Sequence, residues 1–162
     1  MWHVCIKMIY RGMTGIRLTA DELRLMSLFQ SITTVTSKDC IIDEKMDRVI
    51  FIVNKGDMGI AIGRNGSTIK TLQSIIGKKI EVVEYADDLA EFVKNIFGRN
   101  MIMDVKVSEH NSHGKVIIVV VEPHKKAMVI GKEGRNVEKA RLLTKRYFNV
   151  TNVIIRGQEI ST

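Results

Sequence analysis

Residues 62–69 read IGRNGSTI and residues 130–137 read IGKEGRNV. Each stretch holds a Gly-x-x-Gly turn with a cation directly after the first glycine: Gly63, Arg64, Asn65 and Gly66, then Gly131, Lys132, Glu133 and Gly134. Backbone left bare at both ends of so tight a turn lets another chain approach closely. A helix leaving the second glycine aims its first N–H groups and positive dipole end into the same gap. The ligand such a turn suits is a sugar-phosphate backbone. Lys70 and Arg135, just beyond the turns, add positive charge. Glu133 runs against the trend: it should repel phosphate unless Lys132 or Arg135 offsets it, or unless it accepts from a base amino group. Gly-x-x-Gly also joins helices without binding anything. The context separates the two readings, because each turn follows a strand, lies between two helices, precedes another strand and has basic flanks.

The charge is distributed in the same way. The chain of 162 residues carries a formal net charge of +7. Residues 54–78 hold Lys55, Arg64, Lys70 and Lys78 against Asp57, a net +3. Residues 122–146 hold eight Lys/Arg against Glu122, Glu133 and Glu138, a net +5. The remainder is near neutral, so the basic excess surrounds the two turns, as a polyanion site requires.

The elements that hold the turns are duplicated with them. Residues 49–82 lie over residues 117–150 at a shift of 68 without a gap. Identities are few, among them Val53/Val121, Ile62/Ile130, both glycine pairs and Val82/Val150, but the apolar pattern matches throughout. Each copy opens with a helix. TADELRLMSLFQSIT (19–33) has Thr19 as N-cap and Glu22 three residues on; DLAEFVKNIF (88–97) has Asp88 and Glu91 in the same places, a capping box in each. A strand pair follows, and its second member is so rich in β-branched residues that burial on both faces is expected. A short helix enters the turn. A second helix leaves it with an apolar stripe: Ile69, Leu72, Ile75 and Ile76, or Val137, Ala140 and Leu143. Gly77 suits a left-handed helix stop. The strands KIEVVEY and FNVTNVII close the units. Met26, Met101 and Met103 fall on apolar faces and are expected in cores.

This order, α-β-β-α-α-β twice, with this turn resembles tandem type II KH domains, an α+β fold whose Gly-x-x-Gly turn clamps about four nucleotides of single-stranded nucleic acid. The bridge VVEYADDLAEFVKNIF (82–97), with GDMGIAIGRNG and GKEGRNVEKARLL, resembles the paired KH domains of the NusA family of transcription termination/antitermination factors. The likeness covers roughly residues 19–156. The bacterial form also carries a polymerase-binding domain and an S1 barrel, for which there is no room here, so the resemblance is to the short, KH-only form found in archaea. It implies an extension at 1–18, a first KH domain at 19–86, a second at 87–156 and a tail at 157–162. It implies RNA contacts at Gly63, Arg64, Asn65, Gly66 and Lys70, and at Gly131, Lys132, Glu133, Gly134 and Arg135. It also implies an apolar groove for bases, with Ile62, Ile69 and Val82 as candidates in one copy and Ile130, Val137 and Val150 in the other.

The resulting expectation is a non-enzymatic, monomeric, cytoplasmic protein. It would bind single-stranded RNA in transcription elongation and termination, with RNA polymerase as a second partner and no cofactor or metal. A KH protein of the ribosome or of RNA processing, or an enzyme using KH units to grip RNA, would carry the same turns. No P-loop and no Gly-x-Gly-x-x-Gly is present, and no nucleophile set is suggested by spacing. His110 and His113 flank a turn without further ligands nearby. Lone Cys5 and Cys40 fit a reducing compartment, and no apolar run approaches the ~20 residues of a membrane span. Trp2, Val4, Ile6, Met8 and Tyr10 alternate as in a strand, yet lie outside the repeat and are expected to be dispensable. A joint of about two residues between the copies is expected to hold them as one RNA surface. Aspartate at Gly63 or Gly131 is expected to block RNA and leave the fold intact.

Overall fold

The computed structural model describes residues 16–110 and 114–159. The alternating segment 1–12, Cys5, residues 111–113 of the HNSH turn and residues 160–162 lie outside them.

The first helix, α1 (Ala20–Thr33), begins where the capping box places it. Thr19 Oγ1 accepts from the Glu22 N–H at 3.2 Å, and the Thr19 N–H donates to the Glu22 carboxylate at 2.8 Å. Strands β1 (Ser37–Asp43) and β2 (Arg48–Val53) follow, then α2 (Met58–Ile62), α3 (Ser67–Ile76) and β3 (Lys79–Glu84). In the sheet β2 is central, antiparallel to β1 and parallel to β3. All six residues of β2 are buried, as its composition predicts. Val49, Phe51 and Val53 meet Phe29, Ala61 and Leu72 from the three helices, with the Phe29 and Phe51 rings stacked at 4.3 Å. On the other face Arg48 is fully buried and held by Asp43 at 2.8 Å and Glu81 at 3.4 Å. Buried charge of this kind needs such partners.

The second unit repeats the order with α4 (Leu89–Phe97), β4 (Asp104–His110), β5 (Gly114–Val121), α5 (Lys126–Ile130), α6 (Arg135–Phe148) and β6 (Val150–Gly157). Its sheet has the same topology, β5 lying between antiparallel β4 and parallel β6. The chain divides into these two units between Tyr85 and Ala86.

Several expectations need correction. Only alternate residues of β5, Ile117, Val119 and Val121, are buried; Val116, Ile118 and Val120 are half-exposed. The second sheet therefore has one core face, not two. Asp88 caps α4 by accepting from the Glu91 N–H at 3.0 Å, but the box is not reciprocal. The Glu91 carboxylate turns instead to Arg99 at 2.6 Å and Lys94 at 3.2 Å. Met103 is 49% exposed and Ile75 is 56% exposed, so neither belongs to a core, whereas Met26 packs on the first one. A helical stripe read by spacing includes a residue at its edge that the fold leaves in water.

The gapless repeat also breaks down after the turns. Val49 pairs with Ile80, and Ile117, its equivalent at a shift of 68, pairs with Val153. Ile80 and Val153 are 73 residues apart, so the match of Val82 with Val150 is not structural equivalence. Gly77, at φ 75°, ends α3 after 10 residues, while α6 runs for 14 and stops at left-handed Asn149. The extra turn lays Tyr147 and Phe148 on Phe92 of α4, each with ring centroids 5.6 Å from it. One further residue, Thr151, is taken up in an irregularity between Lys115 and Val116.

Candidate nucleic-acid interface

In each unit the short helix runs into its turn with the same backbone. Gly63 has φ 77° and ψ 173°, Asn65 φ 54° and ψ 28°, and Gly66 φ 71° and ψ 17°. Gly131, Glu133 and Gly134 have φ 79°, 58° and 74°, with ψ 166°, 26° and 17°. Three of four residues per turn thus lie at positive φ, which explains a glycine at each end. The turns are closed by hydrogen bonds from Gly66 N–H to Gly63 O at 3.2 Å and from Gly134 N–H to Gly131 O at 3.1 Å.

The two glycines of a turn differ in what surrounds them. A Cβ on Gly63 would collide with Thr68 Oγ1, and one on Gly131 would lie 2.9 Å from Asn136 Nδ2. That amide also donates to Met128 O at 3.3 Å, tying α5 to the start of α6. The first glycine is therefore needed inside the turn, and aspartate there disturbs the fold, contrary to expectation. A Cβ on Gly66 or Gly134 meets nothing within 4 Å. The second glycine is the one that faces open space. Beyond it, α3 and α6 start without a side-chain cap. Their first N–H groups and dipole ends are thus presented at the turn.

The charged residues sort by what they touch. Arg64, Lys70, Lys132 and Glu133 are exposed, Arg135 is half-buried at the first position of α6, and Lys70 stands on the first turn of α3. Lys78 belongs to the fold: its ammonium donates to Glu44 at 2.9 Å, which raises its pKa. Lys125 pairs with Glu122 at 3.1 Å and Arg141 with Glu138 at 2.6 Å. The basic count around the turns thus overstates the charge available to a ligand.

Of the candidate groove residues, Ile62, Ile69, Val82 and Ile130 are half-buried, and Val137 and Val150 are buried. Sequence reading missed Ile60 and Met128, three residues ahead of each turn and 68 apart, which are 58% and 65% exposed. The available signal was their shared place in the repeat, on five-residue helices too short to bury a second face. Among the described residues no group of three or more His, Cys, Asp or Glu could hold a metal ion, and no helix is long and apolar enough to cross a membrane.

Comparison with known proteins decides which family this arrangement represents. The KH domain model matches residues 24–107, and the NusA-like second KH domain model matches residues 89–157. The chain is 35% identical over 149 residues to the probable transcription termination protein NusA of Methanocaldococcus jannaschii, covering 91% of this chain and 80% of that one. The chain belongs to the NusA family of KH-domain proteins. The NusA of Halobacterium salinarum, also named a probable transcription termination protein, is 33% identical over 138 residues, 96% of its length. Among solved structures, the crystal structure of APE1850 superposes with a TM-score of 0.77 at 46% identity, covering 86% of this chain and all of that one. The expected tandem KH, α+β architecture of the NusA family is thereby borne out.

Proposed function

We propose that this NusA-family chain binds single-stranded RNA in transcription elongation and termination through its two Gly-x-x-Gly turns. The observation that carries the reading is the matching positive-φ backbone of the turns, each opening on an uncapped helix and carrying an exposed cation. Gly63, Arg64, Asn65, Gly66 and Lys70 would hold RNA in the first unit, and Gly131, Lys132, Gly134 and Arg135 in the second, with Glu133 beside them. Backbone N–H groups and Arg64 or Lys132 would take phosphate oxygens. Ile60 and Met128 would offer apolar contact to the adjacent bases. RNA polymerase is proposed as the second partner, on the strength of the transcription termination proteins the chain resembles.

The experiment is anisotropy of a labelled single-stranded RNA across a salt series. Each phosphate neutralised should contribute about −0.7 to the slope of log affinity on log salt. Two or more contacts give a slope of roughly −1.4 or steeper. Binding that is flat from low to moderate salt would overturn the reading.

A further inference from the structure

We propose that Glu133 makes the second turn base-selective: its carboxylate accepts a hydrogen bond from exocyclic amino groups of bases and disfavours uracil. The inference rests on the reading of the turns as RNA-binding sites. Position three of the turn is left-handed in both units, at φ 54° for Asn65 and 58° for Glu133. Asparagine enters that region readily, whereas glutamate does not. The second unit thus holds a residue its backbone disfavours, although the first unit shows what would fit. Glu133 is exposed, and no ion pair or hydrogen bond to it is found among the described residues. It does not cap α6, whose first turn has no side-chain cap.

An ionised carboxylate only accepts hydrogen bonds. Placed in a turn otherwise built for anions, it weakens the hold on phosphate, so its complement must be a donor. Cytosine and adenine present an N–H₂ group on the edge they use for pairing. Uracil presents one N–H flanked by two carbonyl oxygens, which repel a carboxylate. The 2′-hydroxyl is also a donor, and its contribution is separable because DNA lacks it. The first turn, with Arg64 and Asn65, then supplies grip, and the second supplies choice.

The test compares the parent with Glu133→Asn and Glu133→Gln, binding ten-nucleotide oligomers of C, A or U and the deoxy oligomer of C. Each protein is also measured with the first turn blocked by Gly66→Asp. The parent should favour C and A over U by about tenfold, one well-made carboxylate–amino contact. Glu133→Asn should bind U more tightly, bring the C:U ratio near one, and steepen the salt slope by about 0.7. Glu133→Gln should also lose the preference, since its amide can donate to uracil carbonyls. Melting of Glu133→Asn at or above the parent temperature shows the fold is intact. An unchanged C:U ratio in both variants would overturn the proposal. So would a Glu133-dependent effect that follows the 2′-hydroxyl and ignores the base. Failure of the parent to bind any oligomer would instead refute the RNA-binding reading of the turns.

Discussion

Gly63 and Gly66 stand three residues apart and answer different constraints. Gly63 combines φ 77° with ψ 173°, a region closed to residues with a Cβ, and its hydrogen side is filled by Thr68. Gly63→Ala should destabilise the first unit by about 1–3 kcal/mol of backbone strain plus the clash. A thermal melt would show this as a fall of several degrees. Gly66 needs only a left-handed conformation, which aspartate adopts at a cost of about 1–2 kcal/mol at most. Gly66→Asp and Gly134→Asp should each leave a folded protein whose affinity for single-stranded RNA falls on the order of tenfold, by repulsion of phosphate. Normal RNA affinity in both would reduce the turns to connectors. Glu91 allows a second prediction. Hydrogen bonds from Arg99 and then Lys94 hold its pKa below the ordinary 4.5. Its stabilising contribution is therefore complete above about pH 4.5 and lost as pH falls through the lower folded value. Side-chain NMR titration should find the Glu91 midpoint below that of free glutamate, and Arg99→Ala should move it upward.

At the scale of elements, the two units differ most in the helix that leaves the turn. α3 stops at Gly77, and α6 continues for four more residues before Asn149. The added turn is stabilised by aromatic contact with fully buried Phe92. Truncation of that side chain removes two ring contacts and opens a cavity. Phe92→Ala should cost about 3–5 kcal/mol, measured by denaturant unfolding. A loss under about 1 kcal/mol would mean that α4 and α6 repack freely. The order of elements was legible in the sequence because capping residues and apolar period are local signals. Thr19 and Glu22 announced α1, and the composition of β2 announced its burial. The length of α6 was not legible. Lys145 and Arg146 give no stop where Gly77 does, and the contact that rewards continuation comes from Phe92, some 55 residues earlier.

The whole chain presents two turns of the same construction, separated along it by 68 residues. Between β3 and α4 lie only residues 85–88, without Gly or Pro. Our proposal for so short a joint is that one RNA strand engages both turns. The second contact would then be intramolecular and raise affinity by about 10²–10⁴ over one unit alone. RNA of about ten nucleotides or more should bind far more tightly than RNA of about five, and Gly66→Asp or Gly134→Asp should cut that difference about tenfold. Equal affinity at both lengths, with two RNAs bound per chain, would exclude a continuous site.

From residue types and spacing came the order of elements, the two turns and the glycine at each end of them, because each depends on neighbours within a few residues; the KH architecture came from the family resemblance that those motifs carry. Tertiary structure was needed to say which glycine faces open space: Thr68 and Asn136 fill the space beside Gly63 and Gly131 and leave Gly66 and Gly134 open. It was needed to take Lys78 out of the uncommitted charge near the first turn, since Glu44 reaches it from 34 residues away. It was also needed to bring Ile60 and Met128 into view, and to show that the strand after each turn follows its own register. These are matters of which distant atoms fill or leave the space around a side chain, and a pattern along the chain carries no term for that.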